Sequence, residues 1–373
     1  MIFFIRSSSI ETDSRLQKYI KFCRIESVEY KVLGWNKESN EKDSRQIKYF
    51  NSNFKLGKKW ANLFVIFQWW FFVFSALFKE RHKISHVHTV DLDCGIVGLF
   101  FSLCFKKKHI YDVYDVFTEN RNIKGRVKSV LNKLERFICM HSSAFILPEF
   151  FRLEQLGLKD VDVSNCHEIE NVPFFEKKNG CSNSEAESSS NNNVIIVYAG
   201  SLEPLHRGIE NLLISVSRNS NFTLKIAGIG PLSFLCEEYS KNYNNIIFYG
   251  KLTPEKVYAL ESESDIIAGL YYKTRDNHLY ASPNKYYEHL AFGKPLLTTE
   301  GVPPGIKVIK NSTGYAIGEN LEDLENWMNS VQHKNDFSSF GKNAYNLWEE
   351  KYQNYFHEYF FSEYKKILGD NNV

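Results

Sequence analysis

The sequence predicts an α/β protein built from two doubly wound, Rossmann-like domains with parallel sheets. A length of 373 residues suits two domains of ordinary size. Strand and helix patterns alternate along both halves of the chain. Between the halves, the polar stretch 176–193 (EKKNGCSNSEAESSSNNN) cannot bury a core and is typical of a linker. We therefore predict a first domain over 1–175, a second over 194–335 and a terminal helix over 336–373, for which packing back toward the first domain is one arrangement.

Hydrophobic periodicity predicts the elements of the first half. The predicted strands are 2–6, 28–34, 84–90, 109–114 and 143–148, and the predicted helices are 13–23, 60–82, 93–105 and 124–141. In the last of these helices the expected buried face is formed by Val127, Val130, Leu131, Leu134, Phe137 and Ile138.

The second half repeats the alternation. Its predicted strands are 194–199, 222–227, 245–250, 265–270, 295–299 and 314–317. The first of them, VIIVYA, is a continuous apolar run, as expected for a strand that is covered on both faces. A short helix within 282–295 has explicit ends, because Ser282 suits the N-cap, Pro283 the first turn and Gly293 the C-terminal cap.

Composition excludes some partners. The net charge is +2, and the 30 Phe and 21 Tyr show no interleaving with basic residues, so we expect no nucleic-acid partner. Seven cysteines are scattered without a metal-binding spacing, which favours reduced thiols, a cytoplasmic protein and no metal site. The apolar run at Met1–Arg6 is too short for a signal peptide and predicts a first strand.

The aromatic stretch 60–78 (WANLFVIFQWWFFVFSALF) lies between basic residues and leaves three interpretations open. It suits a crossover helix that packs on the sheet. It also suits a helix that docks on a membrane surface, and its length approaches that of a membrane span, although Asn62 and Gln68 interrupt it.

The helix within 282–295 combines two features that suit a nucleotide. Free backbone N–H groups at its start can hold a phosphate, near Ser282 and Asn284. A carboxylate one turn later, Glu288, can accept two hydrogen bonds from a ribose diol. Asn284 and Glu288 are four residues apart, and we expect both to face outward.

Three other predicted strand ends carry residues that suit the same ligand. Gly200 and Ser201 follow the first strand, and the next helix is expected to begin near Arg207, where a cation makes sense beside an anion. Gly228 and Gly230 follow the second strand and allow a close approach of backbone to a ligand, or form a plain turn. Gly250 and Lys251 end the third. Because parallel strands place their carboxyl ends at one edge, these residues are predicted to form one donor pocket.

These segments resemble family 4 glycosyltransferases. YAGSLEPLHRGIENLL, IAGIGP, IIFYGKLTPEKVYAL, SDIIAGLYY and SPNKYYEHLAFGKPLL occur in that family's order and spacing, and YKVLGWNK, HVHTVDLD and HIYDVYD match its first half more loosely. The resemblance covers nearly the whole chain. It implies the GT-B fold with two domains facing a central cleft, a nucleotide-sugar donor, a glycan or lipid-linked acceptor, retention of anomeric configuration and no cofactor.

The resemblance also assigns roles to residues. It implies that Glu288 binds the donor ribose and Arg207 neutralises the diphosphate. Lys285 is offered as the second cation, because Ser201 stands where the family has a basic residue. Tyr280 and Tyr114 stand where the family has a Glu and a His that contact the transferred sugar.

Further candidates for contact with sugar or acceptor lie in or after predicted strands of the first half, except Tyr280, which lies in the second half. They are Ser8, His88, Asp91 and Asp93, together with Tyr114 and Tyr280.

The sequence thus predicts a cytoplasmic hexosyltransferase that builds a surface polysaccharide or a lipid-linked glycan, with peripheral contact at the inner face of the membrane as one option. Two alternatives remain at this point. One is a nucleotide-sugar epimerase, and the other is a non-catalytic subunit of the same fold that binds a nucleotide sugar.

Overall fold

The computed structural model describes most of the chain. The described residues are 1–11, 13–36, 42–52, 59–121, 123–175, 193–331 and 337–369. The predicted linker therefore lies outside the described residues, apart from Asn193. The chain divides into two compact units: unit 1 comprises Met1–Asn171 and Phe356–Val373, and unit 2 comprises Val172–Tyr355.

Unit 1 contains a parallel sheet with helices packed against it, numbered here in chain order. Its strands are β1 (Ile2–Arg6), β2 (Tyr30–Asn36), β3 (Ile47–Asn51), β4 (His86–Val90), β5 (Lys108–Asp112), β6 (Ala144–Leu147) and β7 (Cys166–Glu168). Its helices are α1 (Ser14–Ile25), α2 (Lys59–Lys79), α3 (Leu92–Phe105), α4 (Phe117–Asn120), α5 (Gly125–His141), α6 (Arg152–Gln155), a π-helical turn (Phe356–Phe360) and α14 (Phe361–Leu368).

Unit 2 has the same architecture. Its strands are β8 (Val194–Ala199), β9 (Phe222–Ala227), β10 (Ile246–Phe248), β11 (Ile266–Gly269), β12 (Leu296–Thr299) and β13 (Gly314–Ile317). Its helices are α7 (Ile209–Ser217), α8 (Ser233–Asn242), α9 (Pro254–Ser262), a 3₁₀ helix (Asp276–Tyr280), α10 (Asn284–Ala291), α11 (Pro303–Asn311), α12 (Leu321–Ser330), α13 (Ser338–Leu347) and a π-helical turn (Trp348–Tyr352).

Both described sheets are parallel and doubly wound. The strand orders are β3-β2-β1-β4-β5-β6-β7 in unit 1 and β10-β9-β8-β11-β12-β13 in unit 2. Ile2 of β1 pairs with Tyr30 on one side and His86 on the other, and Phe3 and Phe4 next to it are fully buried. Burial of each such side chain contributes about 1.5–3 kcal/mol. The predicted class, two parallel α/β domains, is confirmed.

Two edge strands escaped the prediction. β3 alternates buried and exposed positions only weakly, and β7 has three residues. Each lies at an outer edge of the sheet of unit 1, where one flank has no strand partner among the described residues. Partial burial leaves a weak hydrophobic signal, so periodicity alone does not detect such strands.

The predicted buried face of α5 is wrong in part. Val127, Val130 and Phe137 are 59, 64 and 47% exposed, whereas Ile138 is buried. The helix packs only a narrow strip against its neighbours, and that strip includes Glu135, which is fully buried. Its carboxylate accepts hydrogen bonds from Tyr111 Oη (2.9 Å) and from a backbone N–H.

A buried polar network joins the described C-terminal segment to the rest of unit 1. Asp112 accepts two hydrogen bonds from the Arg15 guanidinium (3.0 and 2.8 Å) and one from Tyr19 Oη (2.8 Å). His88 Nδ1 lies 2.9 Å from Tyr364 Oη of α14. Because every member is buried, removing one would leave its partners unsatisfied, which costs about 1–3 kcal/mol per group.

Candidate functional site

The strand orders indicate where each sheet can hold a ligand. In an open parallel sheet the crevice lies outside the carboxyl ends of the two strands at which the order reverses direction. Those strands are β1 and β4 in unit 1, and β8 and β11 in unit 2. Asp91 follows the carboxyl end of β4, and Ser201 follows that of β8.

Backbone hydrogen bonds connect the three glycine turns of unit 2. Gly200 N donates to Ala227 O (3.0 Å), and Gly228 N donates to Gly250 O (2.8 Å). A Cβ on Gly228 would lie 1.9 Å from Gly200 O, and a Cβ on Gly230 would lie 2.5 Å from Leu202 O. The glycines at 228 and 230 are thus required by the chain's own backbone. The sequence left open a close approach to a ligand or a plain turn, and these contacts favour the turn.

Arg207 lies beside a second arginine that the sequence did not single out. Glu203 Oε2 is 2.7 Å from Arg275 Nη1 and 3.5 Å from Arg207 Nε, and the Arg207 guanidinium lies 5.1 Å from the centre of the Tyr271 ring. Two guanidinium groups thus lie close together, which is an arrangement that suits an anion. Arg207 precedes the helix rather than lying in its first turn, because α7 begins at Ile209 after Gly208 in the left-handed region.

Glu288 and Lys285 form a buried ion pair. Lys285 Nζ lies 2.9 Å from Glu288 Oε2 and also pairs with Glu261 of α9. Glu288 is 7% exposed, so the prediction that it faces outward is wrong. Burial raises the pKa of Glu261 to about 7. Burial opposes the charge on Lys285, but Glu288 and Glu261 hold its pKa well above the ordinary range.

Helix α10 starts one residue later than predicted. Pro283 occupies the N-cap, the first helical residue is Asn284, and no side chain caps the helix. The first N–H groups therefore have no side-chain cap, which is the arrangement that suits a phosphate. Ser282 is buried just before this start, and Tyr280 ends the preceding 3₁₀ helix.

Ser201 and Lys251 lie at the same edge of the sheet. Ser201 follows β8, Lys251 follows β10, and both are exposed. Neither is held by the buried pairs, so both side chains are open to a ligand.

The edge of unit 1 is built around Arg6 at the end of β1. Its guanidinium donates to Asp91 Oδ2 (2.5 Å) and to Asp13 Oδ2 (2.9 Å). Tyr114 Oη donates to Asp13 Oδ1 (3.0 Å), and its ring lies 4.5 Å from the Arg6 guanidinium. Tyr114 is thereby joined to two charged groups at the ligand edge.

Asp91 and Asp93 carry carboxylate oxygens without a hydrogen-bond partner. Within the described part of the chain, Oδ1 of each is buried and makes no hydrogen bond. Asp91 also has a φ of 62°, which is strained for a residue with a side chain. The pKa of Asp91 is raised to about 6, mainly because the side chain is buried. Arg6 lowers this pKa, whereas the nearby Asp93 and Asp115 raise it further. Such oxygens suit hydroxyl donors from a ligand.

Two other candidates of unit 1 differ in access. His88 is 0% exposed, lies 3.7 Å from Asp112 Oδ2, and has its pKa lowered by burial. This placement gives it a structural part in the network with Tyr364. Ser8 is half-buried in the loop after β1, and its hydroxyl donates weakly to Ser9 O (3.5 Å).

Arg6, Asp13, Glu261 and Arg275 are the site residues that sequence reasoning missed. Arg6 is two residues before the candidate Ser8 and ends a predicted strand, and this position could have identified it. The sequence gives no comparable signal for Glu261 and Arg275. Glu261 joins the site only through Lys285, and Arg275 only through Glu203, and both partners are distant in sequence.

No helix in the part of the chain that the structure describes is long and apolar enough to cross a membrane. Over the same residues, no three His, Cys, Asp or Glu side chains lie together in a way that could hold a metal ion.

Solved structures share this architecture at low sequence identity. Sucrose-phosphate synthase from Thermosynechococcus elongatus is 14% identical, with 99% of this chain and 100% of that chain covered and a TM-score of 0.72. HepE from Anabaena, solved with UDP and glucose, is 12% identical, with 94% and 95% covered and a TM-score of 0.65. A proposed UDP-N-acetylglucosamine 2-epimerase from Listeria monocytogenes is 13% identical, with 96% of each chain covered and a TM-score of 0.61.

These likenesses show that the chain has the GT-B fold. No protein-family model matches the sequence, and no curated protein sequence matches it. At such identities the likeness defines the fold alone, and the fold occurs in both sugar transferases and an epimerase.

Proposed function

We propose that the chain is a nucleotide-sugar-dependent glycosyltransferase of the hexosyltransferase type. Two observations carry the proposal: Arg207 and Arg275 both lie within ion-pair distance of Glu203 in unit 2, and no side chain caps the start of α10. Two guanidinium groups and a helix N-terminus suit a diphosphate. HepE has the same fold and was solved with UDP and with UDP-glucose, which supports a nucleotide sugar as donor.

The proposed donor contacts follow from this edge. Glu288 accepts hydrogen bonds from the ribose once Lys285 turns toward Glu261 or toward the diphosphate. The other proposed donor contacts at this edge are Gly200, Ser201, Gly250, Lys251, Ser282 and Asn284. Gly228 and Gly230 support the edge by packing against the backbone of the turn after β8. Arg207 stabilises the charge that grows on the leaving diphosphate, and no metal or other cofactor is part of the proposal.

We further propose a retaining transfer to a glycan or lipid-linked acceptor. Following the family resemblance, the leaving diphosphate takes the acceptor's proton, so the protein mainly orients the reactants. The free oxygens of Asp91 and Asp93 are candidates to orient the acceptor hydroxyl. The lipid-linked option, with peripheral contact at the inner face of the membrane, is supported by α2, whose Phe64, Phe67 and Phe71 are exposed.

A ligand screen tests the proposal. The full chain is heated with UDP-, GDP-, ADP- and dTDP-sugars, and a bound donor at a hundredfold excess over Kd should stabilise it by about 2.7 kcal/mol. Stabilising donors are then incubated with acceptors, and the anomeric configuration of any product is read by NMR. Loss of every nucleotide response would contradict the donor site. Binding with conversion of the donor sugar alone would indicate an epimerase, and binding without any turnover a non-catalytic subunit.

A further inference from the structure

A groove in unit 1 lies between α2 and the edge strand β3. Its volume is about 710 Å³. Residues of β2, β3 and α2 line it, and it opens on the surface of the unit. The proposed contacts with donor and acceptor do not use the groove itself, although its Phe67 and Phe71 belong to the helix of the proposed membrane contact.

One part of the groove is aromatic. Phe50, Phe67, Phe71 and Phe72 line it, and Phe71 and Phe67 are 75 and 54% exposed. The inner face of α2 is well packed by contrast, since Trp69, Val73 and Leu77 are fully buried. The exposed rings therefore exceed what anchoring α2 to the sheet requires.

The other part is cationic. Its basic lining residues are Lys31, Arg45, Lys48 and Lys79, and Glu80 is the single acidic residue in the described lining. Lys31 Nζ pairs with Glu80 Oε1 at 2.5 Å. That hydrogen bond, with Lys83 and Lys48 nearby, lowers the pKa of Glu80. Since the whole chain carries a net charge of only +2, this local excess is a feature of the groove.

The two parts are arranged along the strands. Lys31 and Lys48 are the second residues of the paired strands β2 and β3, and Lys79 ends α2. Phe50 lies farther along β3, and Phe67 and Phe71 lie earlier on α2. The groove is therefore charged at one end and apolar along its length.

We propose that this groove binds a membrane lipid with a phosphate headgroup. The headgroup pairs with the cations at the amino ends of β2 and β3, and the hydrocarbon chain lies along Phe67 and Phe71. Charge complementarity selects an anionic head, and the exposed rings select a chain. The apolar surface continues onto the neighbouring helix α3, since the ring of Phe100 on α3 lies 5.9 Å from that of Phe74 on α2.

The site is separate from the acceptor candidates. The cations lie at the amino ends of their strands, whereas Asp91 and Asp93 follow the carboxyl end of β4. A lipid phosphate held here would not be at the reacting position, so the groove tethers the protein to the membrane. The inference sharpens the proposed membrane contact but does not depend on sugar transfer, because lipid binding is measured without a nucleotide.

The test titrates the full chain with dihexanoyl phosphatidic acid as a monomer, with dihexanoyl phosphatidylcholine and inorganic phosphate in parallel. Tryptophan fluorescence reports binding, since the ring of Trp69 is 5.9 Å from that of Phe50 and also from that of Phe72 in the lining. We expect saturable binding of phosphatidic acid, at least about tenfold tighter than of phosphatidylcholine, and no response to phosphate.

Matched variants locate the site. Arg45→Glu with Lys48→Glu is compared with Lys256→Glu with Lys342→Glu, which changes the charge equally on exposed positions of unit 2. Phe71→Ser is compared with Phe234→Ser, since these side chains are 75 and 76% exposed. The groove variants should weaken binding by about fivefold or more at unchanged thermal stability, and the unit 2 variants should not.

Equal affinity for phosphatidylcholine, or groove variants that bind like the wild type, would overturn the proposal. So would flotation with phosphatidylglycerol vesicles when the monomeric lipid does not bind, because that result indicates adsorption by a whole face. If nucleotides still stabilise the protein but no lipid binds, only the proposal for the groove is rejected. The proposed transferase activity is unaffected by that result.

Discussion

The ligand edges of the two units share a topology but differ in charge. In unit 1, acidic side chains gather at the carboxyl ends of β1 and β4, with Asp13 and Asp91 around Arg6. In unit 2, basic side chains gather at the carboxyl ends of β8 and β11, with Arg207 and Arg275 around Glu203. One parallel fold can thus offer an edge that suits hydroxyl groups and an edge that suits a diphosphate. The difference is set by a few loop residues, which is how one fold supports different ligands.

The largest expected effect is on the cationic edge. Arg207→Ala should lower kcat/KM for sugar transfer by about 10²–10³-fold, because it removes a charge that stabilises the leaving diphosphate. Steady-state kinetics with the donor found by the ligand screen measure it. Arg218→Ala is the matched control, since Arg218 is 65% exposed and pairs only with Glu325 among the described contacts. An Arg207 variant with wild-type kinetics would remove the assigned role.

The next effect separates ribose from diphosphate. Glu288→Gln should weaken nucleotide binding by about 10–100-fold, because charge-assisted hydrogen bonds to the ribose become neutral ones. Calorimetric titration with the free nucleoside diphosphate measures the change. Glu238→Gln, at an exposed position of α8, should bind normally. If Glu288→Gln bound as tightly as wild type, its buried pairing with Lys285 would be structural only.

The edge of unit 1 should respond differently. Asp91→Asn should lower kcat by roughly tenfold through loss of a charge-assisted hydrogen bond, while nucleotide affinity stays unchanged. Both quantities are measured on one preparation, with Asp162→Asn at an exposed position as control. A parallel loss of nucleotide affinity would contradict the division of roles between the two edges.

The last expected effect is on stability instead of activity, and it concerns a proton in unit 1. Burial, as the main cause, raises the pKa of Glu135 from 4.5 to about 8. Between these values the folded state holds a proton that the unfolded state releases, so stability falls as pH rises, by roughly 1.4 kcal/mol per pH unit. Glu135→Gln should lack this dependence. Urea unfolding from pH 5 to 8 measures it, and parallel curves for both proteins would contradict the prediction.

The sequence by itself determined the order of the elements apart from the edge strands β3 and β7, and it indicated which ends of the strands carry the candidate residues. Runs such as Val194–Ala199 are apolar because both faces of a parallel strand are covered, and glycines after the strands indicate tight turns. These signals are local, so they survive without knowledge of the fold. The alternation of strand and helix then fixes parallel sheets, and the carboxyl ends follow.

Only the tertiary structure decided which groups meet. The sequence of α10 predicted that Glu288 faces solvent, but the side chain is buried and pairs with Lys285. Lys285 also pairs with Glu261, which is distant in sequence. Arg275 became a candidate site residue only because it donates to Glu203, which is 72 residues away in the chain. Val127, which fits the apolar stripe of α5, is 59% exposed because the helix packs a narrower strip than its pattern allows. Periodicity describes one element at a time, whereas burial, pairing and shifted pKa values depend on what another element places opposite.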